Sequence, residues 1–313
     1  MQVDQTQLYC TNAFLDKLNF EVKIMNSSLL QMNTIFISIL IEALPFVLLG
    51  VIISGIIQIF VTDEMMARVI PKNKIGAVLL ASVIGALFPA CECGIVPITR
   101  RLMAKGVPLY AAIPFMLTGP IINPVVLFST FVAFGNDWKI VLYRAGVAFI
   151  VSLLVGFILS FQFKTPQTKR EVHLHTSPKK MSAKVSEATR HTIDEFFSVG
   201  KFLIIGGLIA AGMQTFVKTS TLFSLGQGDV SSNAVMMGLA YVLSLCSSAD
   251  AFIASSFRST FTDSAIVSFL VFGPMFDIKN TLMMLGQFKT KFVFTLLAYV
   301  FILVLIVSIL IVH

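Results

Sequence analysis

Apolar stretches at residues 34–61, 75–90, 109–134, 138–161, 196–217, 234–245, 265–276 and 292–311 alternate with short polar or Gly/Pro-rich pieces along the chain. A helix needs about 20 residues to cross the hydrocarbon of a bilayer. Several stretches qualify, but 75–90 and 234–245 are short. Both short ones end at a cysteine, Cys91 and Cys246, and each is followed by a moderately apolar piece closing with arginine: Arg100 and Arg101 in one case, Arg258 in the other. The pattern predicts two helical hairpins that enter the membrane and turn back at the cysteine, unless the short segments span fully.

The paired hairpins belong to a longer internal repeat. Gly50, Gln58, Phe60 and Val61 of GVIISGIIQIFV lie 156 positions before Gly206, Gln214, Phe216 and Val217 of GGLIAAGMQTFV. Cys91 and Cys246 are 155 apart, and Gly119, Pro120 and Asn123 of FMLTGPIIN precede Gly273, Pro274 and Asp277 of FLVFGPMFD by 154. Constant order with an offset that drifts by only two residues predicts a duplication. The expected organisation is an N-terminal extracytoplasmic or interfacial segment (1–33), a first transmembrane repeat (34–161), a basic cytoplasmic linker (162–195) and a second repeat (196–313).

Composition agrees with this class. Hydrophobic residues make up 56% and charged residues 12%, with a mean hydropathy of +0.88, whereas soluble domains carry about 25% charged residues. Residues 1–33 lack the basic start and short apolar core of a cleavable signal peptide. Four cysteines in a chain of this length do not make a disulfide framework. The net charge of +7 is concentrated in the linker, which holds Lys164, Lys169, Arg170, Lys179, Lys180, Lys184 and Arg190 and is therefore expected on the cytoplasmic side of the plasma membrane. About three crossings plus one hairpin per half give an all-α polytopic protein of roughly eight to ten helices, with the two repeats inverted as in secondary transporters.

Helix-breaking residues mark where such a protein would be irregular: Gly94 and Pro97 after the first cysteine tip, Gly119, Pro120 and Pro124 in TGPIINP, and Gly273 and Pro274 in FGPMFD. Irregular backbone at membrane depth is tolerated only when buried in protein or lining a wet cavity. The substrate or ion pathway is accordingly expected around Cys91, Glu92, Cys93, Asn123, Cys246, Asp250, Asp277 and Asn280.

Candidate chemistry centres on ACEC. As thiolates, Cys91 and Cys93 are soft donors suited to Cu(I), Zn(II) or trivalent arsenic, and Cys246 could add a third sulfur if the hairpins meet. The alternative is that cysteine serves as a small buried apolar residue. An acid at the bilayer centre costs on the order of 3 kcal/mol, so Glu92 is expected either to face a cavity as a proton carrier or to pair with Arg100 or Arg101. Asp250 and Asp277 fall under the same argument, with Lys279 or Asn280 as structural partners for Asp277. His173 and His175 form an HLH pair in the linker that reads as a solvated loop.

The run ACECGIVPITRRLMAKGVP followed by FMLTGPIINPVV resembles the YraQ-type permease family from about residue 39 onward, and SLCSSADAFIASS is similar to its second-half segment. That family includes organoarsenical efflux permeases and is also described as one subunit of a proposed two-component membrane permease. The resemblance implies a membrane permease, a metal or metalloid substrate and a companion membrane or extracytoplasmic subunit.

No Walker loop is present, so ATP is not used by this chain, and no motif calls for a cofactor or a nucleic-acid partner. A secondary transporter of a small solute is the first functional expectation. An intramembrane thiol oxidoreductase working through Cys91 and Cys93 is the second, although Cys-x-Cys lacks the Cys-x-x-Cys spacing of redox sites. A scaffold for a companion subunit is the third.

Overall fold

The computed structural model describes residues 5–71, 73–88, 91–163, 167–168, 181–216 and 228–312, with side chains outside 5–26, 59, 63–64, 67, 181–188, 191 and 229. His173, His175 and most of the basic linker lie outside the described residues. Within the described residues every named element is a helix: α1 (Gln5–Phe60), α2 (Asp63–Val69), α3 (Lys74–Leu87), α4 (Glu92–Ala104), α5 (Leu109–Thr118), α6 (Pro124–Ala133), α7 (Trp138–Gln162), α8 (Met181–Phe216), α9 (Asp229–Leu243), α10 (Ser247–Ser256), α11 (Asp263–Met275), α12 (Ile278–Gln287) and α13 (Thr290–Ile311).

Local chemistry sets most boundaries. Side-chain oxygens of Thr62, Asn73, Asn123, Asp137, Thr262 and Asp277 accept backbone N–H bonds at the starts of α2, α3, α6, α7, α11 and α12. Pro124 opens α6, where its missing N–H is no loss. α4 and α10 instead begin at Cys91 and Cys246, neither of which makes a side-chain cap bond.

Among the described residues, five segments are long and apolar enough to cross a membrane: Ser27–Gln58, Trp138–Gln162, Thr192–Phe216, Asp263–Gln287 and Thr290–Ile311. The fourth, made of α11 and α12, is 94% buried, against 28 to 44% for the others, so it runs through the middle of the bundle. Around it the packing is mirrored. α3 lies on α5 and α7 as α9 lies on α11 and α13, while α1 pairs with α8 and α7 with α13. Contacts between the halves are reciprocal as well, α4 on α12 and α10 on α6.

The ends of the elements define two faces. α3 starts beside the end of α7, where Lys74 Nζ donates to the Ser160 carbonyl at 2.9 Å. α4 returns to that same face, since Arg101 meets Glu195 at the start of the α8 span. The first hairpin is therefore re-entrant from the linker face. At the other face, Arg258 just past α10 bonds Asp137 at 3.0 Å, and Asp263 of α11 bonds Lys139 near the start of α7 at 3.0 Å. α5 begins near the C-terminal part of α7, Gly156 facing Pro114 and the Tyr110 carbonyl, so α5 and α11 run in opposite directions.

Helix pairs in lipid associate by close packing rather than by hydrophobic drive. A Cβ at Gly50 would sit 2.5 Å from the Gly94 carbonyl oxygen, which places α1 and α4 backbone to backbone. At the corresponding position in α8, Gly206 faces the Lys279 Cα of α12 at 3.0 Å.

Several boundaries differ from expectation. α4 passes through Gly94 and Pro97 without a break. Pro97 removes only the bond to the Cys93 carbonyl in the second turn, and Gly94 serves close packing, so neither interrupts the helix. Gly273 and Pro274 lie in the last turn of α11, and the chain departs from helix at Phe276 and Asp277. In the first half α5 ends at Thr118 and α6 begins at Pro124, with Gly119 and Pro120 between them. α1 extends without interruption across residue 34, and α8 starts at Met181, inside the segment read as linker.

Candidate functional site

The two cysteine-tipped turns meet. Glu92, the first residue of α4, is 2% exposed, and its Oε2 accepts from the Ser247 hydroxyl, the first residue of α10, at 2.8 Å. Its other oxygen, Oε1, lies 3.5 Å from Lys279 Nζ. That ammonium is also 3.5 Å from Asp277 Oδ2 and donates to the Ser244 carbonyl at 3.2 Å. An ammonium shared by two carboxylates and a carbonyl is a compensated charge, which is how a buried lysine avoids an otherwise prohibitive desolvation cost.

Arg144 of α7 closes the centre from the opposite side. It is fully buried, donates from Nη1 to Thr130 Oγ1 at 2.7 Å and from Nη2 to the Ser247 carbonyl at 3.0 Å. It thus ties α6 and α7 to the second hairpin tip. Asp250, 1% exposed in the first turn of α10, has an Oδ2 atom with no hydrogen-bond partner among the described residues. The charges acting on it are Arg144, Glu92, Lys279 and Asp277. Gly273 leaves the room it occupies, since a Cβ there would lie 3.2 Å from Asp250 Oδ2.

The sulfurs form the wall. Cys91, Cys93 and Cys246 line one small cleft together with Glu42, Phe46, Glu92 and Lys279, a cavity of about 10 Å3, room for about one water. All three thiols are free, Cys93 buried and the other two partly accessible. No group of three or more His, Cys, Asp or Glu side chains among the described residues is arranged to hold a metal ion. A second cleft, sharing Phe46 and Cys91, continues between α1 and α4 past Gly50, Ile53, Gly94 and Ile98.

Every expected pathway residue is buried or borders the cleft, but their roles divide. Glu92, Asp250, Asp277 and the three cysteines surround the centre. Asn123 caps α6 by accepting from Val125 N at 2.9 Å. Asn280 donates from Nδ2 to the Met275 carbonyl at 3.1 Å, bridging the α11–α12 break. Arg100 and Arg101 pair with Glu195 of α8 and not with Glu92.

Arg144, Ser247 and Glu195 were not singled out from the sequence. Arg144 stands in the apolar run WKIVLYRAGVAFIVS, where the reasoning applied to Glu92 identifies it equally well. Ser247 carries no such signal, because only the meeting of the hairpins gives it a partner.

A charged, thiol-walled centre enclosed by membrane-length helices and reached from both faces by hairpins defines an all-α, multi-pass membrane protein. Residues 28–313 match the family model ArsP_1, described as a predicted permease, and the chain belongs to that permease family. It is 62% identical over 288 residues to the UPF0718 protein YcgR of Bacillus subtilis, covering 91% of this chain and 98% of that protein. It is 48% identical over 271 residues to a Streptococcus mutans protein described as a proposed subunit of a two-component membrane permease complex, covering 85% and 90%. Similarity to YraQ of Escherichia coli is lower, 24% over 127 residues, covering 40% of this chain and 36% of that protein. No solved structure matches the chain.

Proposed function

We propose that this permease is a secondary transporter of the plasma membrane that moves a small thiophilic solute, a metal ion or a metalloid such as an organoarsenical. Repeats 34–161 and 196–313 form its two halves in inverted orientation, joined by the basic linker 162–195 on the cytoplasmic side. The single observation that carries this reading is the shared cleft: Cys91 and Cys93 from one hairpin and Cys246 from the other line the same space, directly beside the Glu92–Lys279 pair. Soft sulfur from both halves gives a thiophilic cargo contacts that change when the hairpins separate, which is what alternating access requires. The opposite courses of α5 and α11, and the return of the two hairpins to opposite faces, support the inverted arrangement.

Multi-element analysis of cells with and without the protein tests the proposal: the content of at least one thiophilic metal or metalloid changes with expression. Purified protein in liposomes separates transport from thiol chemistry. Flux without turnover supports the permease, and thiol–disulfide turnover without flux supports an oxidoreductase. The description of the Streptococcus mutans relative favours a second, compatible reading, in which the chain works with a companion subunit. Co-purification from native membranes tests that reading.

A further inference from the structure

A second buried charge cluster lies outside the central site. Glu195 of α8 is 6% exposed, and its Oε2 accepts from Arg101 Nη2 at 2.9 Å and from the Ser54 hydroxyl at 3.0 Å, with Arg100 Nη1 3.5 Å from Oε1. Arg101 Nε donates in turn to Ser54 Oγ at 3.3 Å. Three elements, α1, α4 and α8, are tied at one point. Close packing flanks the knot, since a Cβ at Gly55 would meet the Thr192 hydroxyl.

The position of this cluster gives it meaning. A second small cleft shares Phe46 and Cys91 with the central one and lies along the α1–α4 seam, lined further by Leu49, Gly50, Ile53, Gly94 and Ile98. Ile53 adjoins Ser54 in sequence, and Ile98 lies one turn before Arg101. The seam therefore points from the thiols at the bundle centre to the knot at the linker face. At Gly50 and Gly94 the two backbones meet with no side chain between them, so α1 and α4 can part there without rearranging an interlocked side chain, while Phe46, Leu49, Ile53 and Ile98 line the rest of the seam. Two guanidinium groups and one carboxylate tie the linker-face end of that seam together.

We propose that the α1–α4 seam is the solute path between the central cleft and the linker face, and that the Glu195–Arg101–Ser54 cluster is its gate. The proposal rests on the permease reading for what passes through the seam, but the gate itself is testable without any solute. Breaking a buried ion pair by removing one partner leaves an uncompensated charge, and here it leaves two arginines facing each other. Glu195→Gln therefore drives the end of α4 away from α8 and exposes the seam.

The test uses the full chain in membrane vesicles, with Cys93 as the sole remaining thiol and a membrane-impermeant maleimide applied from the linker side. Glu195→Gln is expected to raise the labelling rate of Cys93 at least about tenfold, equivalent to about 1.4 kcal/mol against the closed seam. Glu195→Asp, which keeps the carboxylate, gives a smaller rise. In a separate chain whose only thiol replaces Lys139, at the opposite face, the reagent applied from that face labels equally with and without Glu195→Gln and reports that the fold is intact. Should Glu195→Gln fail to reach the membrane, Ser54→Ala removes one strand of the knot and is expected to raise labelling about threefold, roughly half of that free energy. Unchanged Cys93 labelling in a correctly inserted variant overturns the gate. If labelling rises but Glu195→Gln in the chain with all its cysteines changes no element's accumulation in cells, the gate stands and the assigned cargo is wrong.

Discussion

Glu92 and Ser247 each open the helix that follows a cysteine tip, 155 positions apart, and the serine hydroxyl donates to the glutamate at 2.8 Å. Equivalent positions of two sequence copies thus touch each other at the centre of the bundle. The contact joins the halves through the same carboxylate that holds Lys279, so perturbing either partner reaches the whole charge cluster.

Glu92→Leu and Lys279→Met are each expected to destabilise the protein by about 3–5 kcal/mol, because each leaves a buried charge short of its partner. The double substitution recovers only part of that loss, since Glu92 is no longer left without a partner but Asp277 still loses its ammonium. Thermal unfolding in detergent of the two single variants and the double variant measures the coupling. Strict additivity would mean the pair does not interact.

Arg144→Leu strips the Thr130 hydroxyl and the Ser247 carbonyl of their donors, and a buried unsatisfied group costs about 1–3 kcal/mol. Arg144→Lys is not expected to restore stability, because a single ammonium lacks the fork that reaches both acceptors. Melting temperatures of the two variants check this. Full rescue by lysine would show that only the positive charge matters.

Gly50→Val forces a side chain into the Gly94 backbone and is expected to cost several kcal/mol, on the order of the larger overpacking penalties. Gly146→Ala, where an added Cβ meets nothing within 4 Å, is expected to be neutral or slightly stabilising by helix propensity. Folded yield and melting temperature in parallel distinguish a helix crossing from an ordinary glycine.

Cys91→Ser combined with Cys93→Ser is expected to abolish accumulation changes for a thiophilic element while leaving expression and membrane insertion intact. Normal transport by that variant would reduce the sulfurs to packing.

The surface pairs Lys139–Asp263 and Arg258–Asp137 match Arg101–Glu195 in distance, 3.0 and 3.0 Å against 2.9 Å. Their side chains are 29 to 50% exposed, and such pairs contribute about 0–1 kcal/mol. Lys139→Ala is therefore expected to shift stability far less than Arg101→Ala. Unfolding of the two variants under one condition makes the comparison.

What could be read from the residues alone was whatever depends on segment length and backbone chemistry. Two apolar runs too short to cross, each ending at a cysteine, announced the hairpins, and TGPIINP announced the α5–α6 interruption. Partner choice was not legible. Arg100 and Arg101 follow Glu92 within one helix, yet α4 points them toward the linker face, where α8 supplies Glu195 from 94 positions away. Asn123 satisfies a helix start, a role its residue type alone does not separate from that of a pathway residue, because a capping side chain and a ligand carry the same chemistry. Gly273 and Pro274 read as the interruption itself, whereas a proline in the last turn lets the helix run one residue further, to Met275, before it ends.

α8 carries Glu195 near one end of its span and, eleven residues on, Gly206, where the Lys279 backbone rests. At 1.5 Å per residue those points are about 16 Å apart on one rod. A tilt of that rod cannot release the arginines at the rim without also shifting the seat of the lysine in the middle, so α8 is a lever connecting the protein's two charge centres.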